Sequence, residues 1–79
     1  MSMTRFYIDL HDGTNFVRDD RGFDLPNEAV ALAKLASIMG KVARDLPAAI
    51  GRQDYLAIVR DDAKRVIFRA HLSFDVERV

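Results

Sequence analysis

The most constraining feature of this chain is its C-terminal alternation. From 65 to 77, Val66, Phe68, Ala70, Leu72, Phe74 and Val76 alternate with Arg65, Ile67, Arg69, His71, Ser73, Asp75 and Glu77. A period of two puts the first set on one face of a strand and the second on the other. The usual strand has about five or six residues. For one this long in a chain of 79 residues, the expectation is a bend, or a far end that pairs with something outside the monomer. It also commits the fold to a sheet.

Three further strands and one helix are legible. Residues 4 to 11 alternate, with Phe6, Ile8 and Leu10 on one side and Arg5, Tyr7, Asp9 and His11 on the other. Asp12-Gly13 follows, a hairpin signal that rests on glycine's tolerance of positive φ. Phe16-Val17-Arg18 returns as a short second strand. A two-residue loop puts Phe16 on the side of Tyr7; a three-residue loop reverses this. Asp19-Asp20-Arg21-Gly22 reads as a turn, and Phe23 to Leu25 as an extended link. Pro26 ends it, and Asn27, with Asp24 as the alternative, caps a helix over 28–46. Leu32, Leu35, Met39, Val42 and Leu46 follow helical spacing, with Ala29, Ala31, Ala36, Ile38 and Ala43 on the same half. Lys34, Ser37, Lys41, Arg44 and Asp45 fall opposite. Pro47 and Gly51 close the helix. Tyr55 to Arg60 is a third strand without a clear face, and Asp61-Asp62-Ala63-Lys64 turns into the fourth.

The expected fold is therefore α+β in the order ββαββ. One four-stranded sheet carries a single amphipathic helix on one face, in one domain spanning 1–79. One helix cannot cover both faces of a sheet, so the other face must be solvated or must meet a partner.

Composition narrows the chemistry. Twelve Lys and Arg balance twelve Asp and Glu, and Cys is absent. No disulfide framework or thiolate zinc site can form. A zero formal charge argues against a general electrostatic grip on nucleic acid or anionic lipid. No apolar run reaches the length of a membrane span, and the N-terminus does not read as a signal peptide, so the expected location is cytoplasmic.

The N-terminal half carries a pattern of turn and cap residues: Phe6-Tyr7, Asp9, Leu10, Asp12-Gly13, Asp19-Asp20, Gly22, Leu25-Pro26 and the Ala-rich stretch from Ala29. In this it resembles the short domain-of-unknown-function proteins of rhizobia and related alphaproteobacteria. That family often has His where this chain has Asp9, and Gly near Lys64. Lys64 must then supply a turn conformation that glycine adopts more easily. The resemblance implies the fold and no particular reaction.

Asp9 and His11 share a strand face, and His71 is on the outward set of the last strand. If the two strands are neighbours, these side chains are a conceivable metal or acid–base site. Gly13 and Gly22 stand singly after Asp and form no phosphate loop. No nucleophile has an evident base, so no catalytic residue, cofactor site or metal site is assigned. Tyr7 among Arg5, Arg65 and Arg69 suggests single-stranded nucleic acid on the open face, but Asp9, Asp75 and Glu77 oppose it. The favoured reading is a non-enzymatic interaction module. It would form a homodimer, or bind another protein, through the open sheet face or a strand edge. Tyr7, Phe16 and Ile67 are the candidate interface residues. In the second hairpin an even loop sends Leu56 and Ile58 outward, and a three-residue loop sends Tyr55 and Val59.

Overall fold

A computed structural model describes residues 2–79. Its elements are β1 (Thr4–His11), β2 (Phe16–Val17), β3 (Phe23–Leu25), α1 (Glu28–Arg44), β4 (Gly51–Arg60) and β5 (Val66–Val76). All strand pairings are antiparallel, in the order β2-β1-β4-β5, with β3 also on β1.

The sheet thus has five strands, not four. The stretch from Phe23 to Leu25, expected as a link, pairs with β1 from Phe6 to Thr4. β2 and β3 are two pieces of one edge. β2 holds the C-terminal end of β1, β3 holds its N-terminal half, and the chain loops out between them. That split depends on Gly22, whose φ is +77°. A Cβ there would lie 2.8 Å from the Phe6 carbonyl oxygen and 2.9 Å from Arg5 Cγ.

The first loop spans Asp12 to Asn15, four residues rather than two. Asp12 N–H donates to the Asn15 carbonyl at 3.0 Å, and its carboxylate accepts from the Thr14 and Asn15 N–H groups. The even count keeps the parity of a two-residue loop. Phe16 faces His11 across the strands and shares its side with Tyr7.

The helix begins where its cap was expected, with Asn27 Oδ1 accepting from Val30 N–H at 2.9 Å. Ala31 and Leu35 are buried against Phe6, Ile8, Ala57 and Val59, which form the core. The apolar stripe is wider than its contact. Leu32 is 47% exposed, and Ala29, Ala36 and Ala43 are exposed as well. α1 lies mainly against β3, β4 and β5. It leaves an open cleft of about 440 Å³ along Ile8, Leu10, Val17, Phe23 and Ile38. A second, of about 390 Å³, adjoins it along Leu10, Val42 and Tyr55.

β4 begins at Gly51, four residues before Tyr55, where the strand had been expected to start. β1 reaches only as far as Leu56 on β4. Beyond it, Gly51 to Tyr55 pair with Val76 to Leu72 alone, so the far half of the hairpin is a two-stranded arm. The molecule measures 54 × 20 × 17 Å, with a Cα radius of gyration of 14.3 Å. A compact chain of this length has a radius of about 12 Å.

Candidate functional site

The face opposite the helix carries the outward side chains of the sheet. Its residues follow from register. Tyr7 stands opposite Arg60, Asp9 opposite Ile58, and His11 opposite Leu56. Ile58 then meets Arg69, and Leu56 meets His71. Leu56 and Ile58 are therefore on this face, while Ala57 and Val59 enter the core.

The centre of the face is closed by an ion pair. Arg60 Nε donates to Asp9 Oδ2 at 2.7 Å and Nη2 to Oδ1 at 3.0 Å. Both residues are buried, at 4% and 6% exposure. Burial pushes the Asp9 carboxyl up. Bonds from Arg60 and from Asp19 N–H outweigh this and hold it below its ordinary value of 3.8. Arg60 Nη2 also reaches the Asp19 carbonyl at 3.1 Å. The Asp19 carboxylate accepts from Ile8 N–H at 3.1 Å, and from Arg21 and Gly22 N–H. The gap between β2 and β3 is thus filled by a side chain that takes up an edge N–H of β1. Arg60 Nη1 is buried without a hydrogen-bond partner, though the guanidinium carbon lies 5.0 Å from the Tyr7 ring centre.

The candidate residues do not gather. Asp9 is committed to Arg60. His11 Nδ1 accepts from Gly13 N–H at 3.3 Å, and its ring is 5.9 Å from that of Phe16. His71 lies 3.2 Å from Asp54 Oδ1. Leu56 stands between His11 and His71, so two strand spacings, about 10 Å, separate their backbones. Among the described residues no three His, Asp or Glu side chains come close enough to share an ion.

Tyr7 is half-buried, with Lys64 Nζ also 5.0 Å from its ring centre. Phe16 is 53% exposed on the short edge strand. Ile67 is a correction. It was expected to stand outward, but it is half-buried and packs against the core. The cause is a register shift at Val59/Arg60, where Val59 faces Phe68 but Arg60 faces Val66. Alternation alone carries no signal for a bulge.

Several other charges on this face are neutralised locally, though Arg69 and Asp75 have no ion-pair partner within the described residues. Arg5 pairs with Asp24 at 3.0 Å and Arg52 with Asp54 at 3.0 Å. The clearest open feature is instead an edge. β5 pairs with β4 on one side only. It contains no Pro and no Lys, two of the residues that usually protect an exposed edge. The bulge disturbs only its first residues, and from Phe68 to Val76 the strand is regular. Exposed apolar groups lie on or beside the arm: Ile50 at 69% and Phe74 at 42%.

The missed elements have identifiable signals. Arg60 ends an apolar strand, which marks a charge that needs a buried partner. The free edge of β5 follows only once strand order is known.

No helix of the chain is long and apolar enough to cross a membrane, among the described residues. No curated protein and no solved structure matches the chain. Residues 5–73 match DUF6894, a domain of unknown function. That match spans most of the chain, and the protein belongs to the DUF6894 family.

Proposed function

We propose that the chain is a non-catalytic interaction module that forms a homodimer through the outer edge of β5. The observation that carries this reading is that edge. Residues 68–76 present a row of unpaired backbone N–H and C=O groups without Pro or Lys. Each such group gains a partner when a second strand is added. The face opposite the helix is a weaker candidate. Its centre is a closed ion pair, Tyr7 is flanked by two cations, and Arg5 and Arg52 already have carboxylates. With Arg5, Arg52 and Arg60 paired and Arg69 left free, that face is also a weaker fit to single-stranded nucleic acid, because free cations and an open ring are what stacking needs.

Sedimentation over a micromolar series tests the reading. A monomer–dimer equilibrium is the expected result. A strict monomer at high micromolar concentration overturns it. Salt-sensitive binding of a single-stranded oligonucleotide, with the protein still monomeric, would favour the nucleic-acid alternative.

A further inference from the structure

We infer that two copies pair β5 to β5 about a two-fold axis passing between their Leu72 residues, each arm lying beside the partner's helix. This rests on the edge reading above and specifies its geometry.

Two identical antiparallel edges related by a two-fold axis must pair residues of like face, with the axis normal to the sheet. Both helices then lie on one side of a continuous sheet. The remaining freedom is register, and charge chooses among the options. With Leu72 opposite itself, Arg69 faces the partner's Asp75, and by symmetry Asp75 faces the partner's Arg69. The pair occurs twice. On the helix side Ala70 faces the partner's Phe74, and Phe68 the partner's Val76, so both faces match along the regular part of the strand. An axis at Ala70 would set Arg69 against the partner's His71. An axis at His71 would set Arg69 against the partner's Ser73. An axis at Ser73 would send Arg69 to the partner's Glu77, beyond the strand end.

A second observation supports the same register. Lys34 lies over Phe23, and Ile38 lines the cleft along Ile8, Leu10 and Val17. That flank of α1 faces β1, β2 and β3. At 100° per residue, Leu32, Ala36 and Ala43 occupy the other flank, toward the β5 edge. With Ala29, these are the exposed apolar residues of the helix stripe. The arm has the matching character: Ala48, Ala49 and Ile50 run beside Phe74 and Val76. Pairing Phe68 and Ala70 with the partner's Val76 and the partner's Phe74 brings that arm against the Leu32 flank. Exposed Leu32, Ile50 and Phe74 are covered together.

The chain has no Cys, so single cysteines report the register directly. Residues facing each other across antiparallel strands have Cα atoms about 4.5–5.5 Å apart, within disulfide range. Leu72→Cys should form a linked dimer under mild oxidation. His71→Cys and Ser73→Cys should link several-fold less. A maximum at 71 or 73 overturns this register and leaves the edge dimer standing. A dimer that links at none of the three overturns this register, and a monomer overturns the dimer itself. Charge exchange on the exposed face is the independent check. Arg69→Asp should weaken association about tenfold, and adding Asp75→Arg should restore it. Failure of the double exchange to restore a dimer that Arg69→Asp weakened also overturns the register.

Discussion

The two ends of this molecule solve the edge problem in opposite ways. At the β1 end the edge is closed by the chain itself. β2 and β3 cover its two halves, and the Asp19 carboxylate takes the Ile8 N–H between them. Arg60 reaches across to Asp9 and to the Asp19 carbonyl, tying β4 to the same loop. At the β5 end nothing comparable occurs. The strand runs free, and its far half belongs to an arm that β1 does not reach. The buried ion pair is at the first end, and exposed Ile50 and Phe74 lie along the second. On the proposed reading, strand addition takes place at the bare edge, because the other is closed by a charged network.

Breaking the closed end should have the largest effect. Arg60→Ala leaves Asp9 buried without its partner, and should cost about 3–5 kcal/mol in urea unfolding. If the loss is below about 1 kcal/mol, the network does not hold the β1 end. Acid should act through the same carboxylate. Its folded pKa is depressed, so its contribution is complete above the ordinary value of 3.8. It is lost as pH falls through the lower folded value. The part of the acid loss that depends on Asp9 should therefore vanish in Asp9→Asn, measured by unfolding between neutral pH and pH 2.

Gly22→Ala should come next. The new Cβ meets the Phe6 carbonyl at 2.8 Å, and φ is +77°. A loss of about 1–3 kcal/mol is expected, with β3 freed from β1 in hydrogen exchange. Protection of β3 unchanged from the parent would separate the loop's geometry from the edge it closes.

The smallest effect is at the hairpin turn between the two ends. Lys64 has φ +66°, and Lys64→Gly relieves that conformation while losing the contact with Tyr7. A net gain of about 0.5–1 kcal/mol is expected from thermal unfolding. A clear loss would mean that the cation over the ring outweighs the backbone.

Much of the fold was legible in local pattern. Period-two runs marked β1 and β5, the 3.6 period marked α1, and Asn27 and Gly22 acted where their chemistry required. Lys64 took the left-handed turn that the absence of glycine there implied. Other features were not legible because they depend on neighbours. Phe23 to Leu25 is too short to show a period, and becomes a strand only because β1 offers a free half-edge. Ile67 turned inward through a bulge that alternation does not record. Asp9 looked like one member of an exposed polar set, and became half of a buried pair only when β4 carried Arg60 beside it.

The sequence by itself determined β1, α1, β5, the helix cap and the lack of any covalent staple, because these follow from spacing and from each residue's own chemistry. Tertiary structure decided strand order, and with it which polar groups are buried and which edge is bare. Those are long-range pairings, and a strand's own residues do not specify which neighbour they will meet.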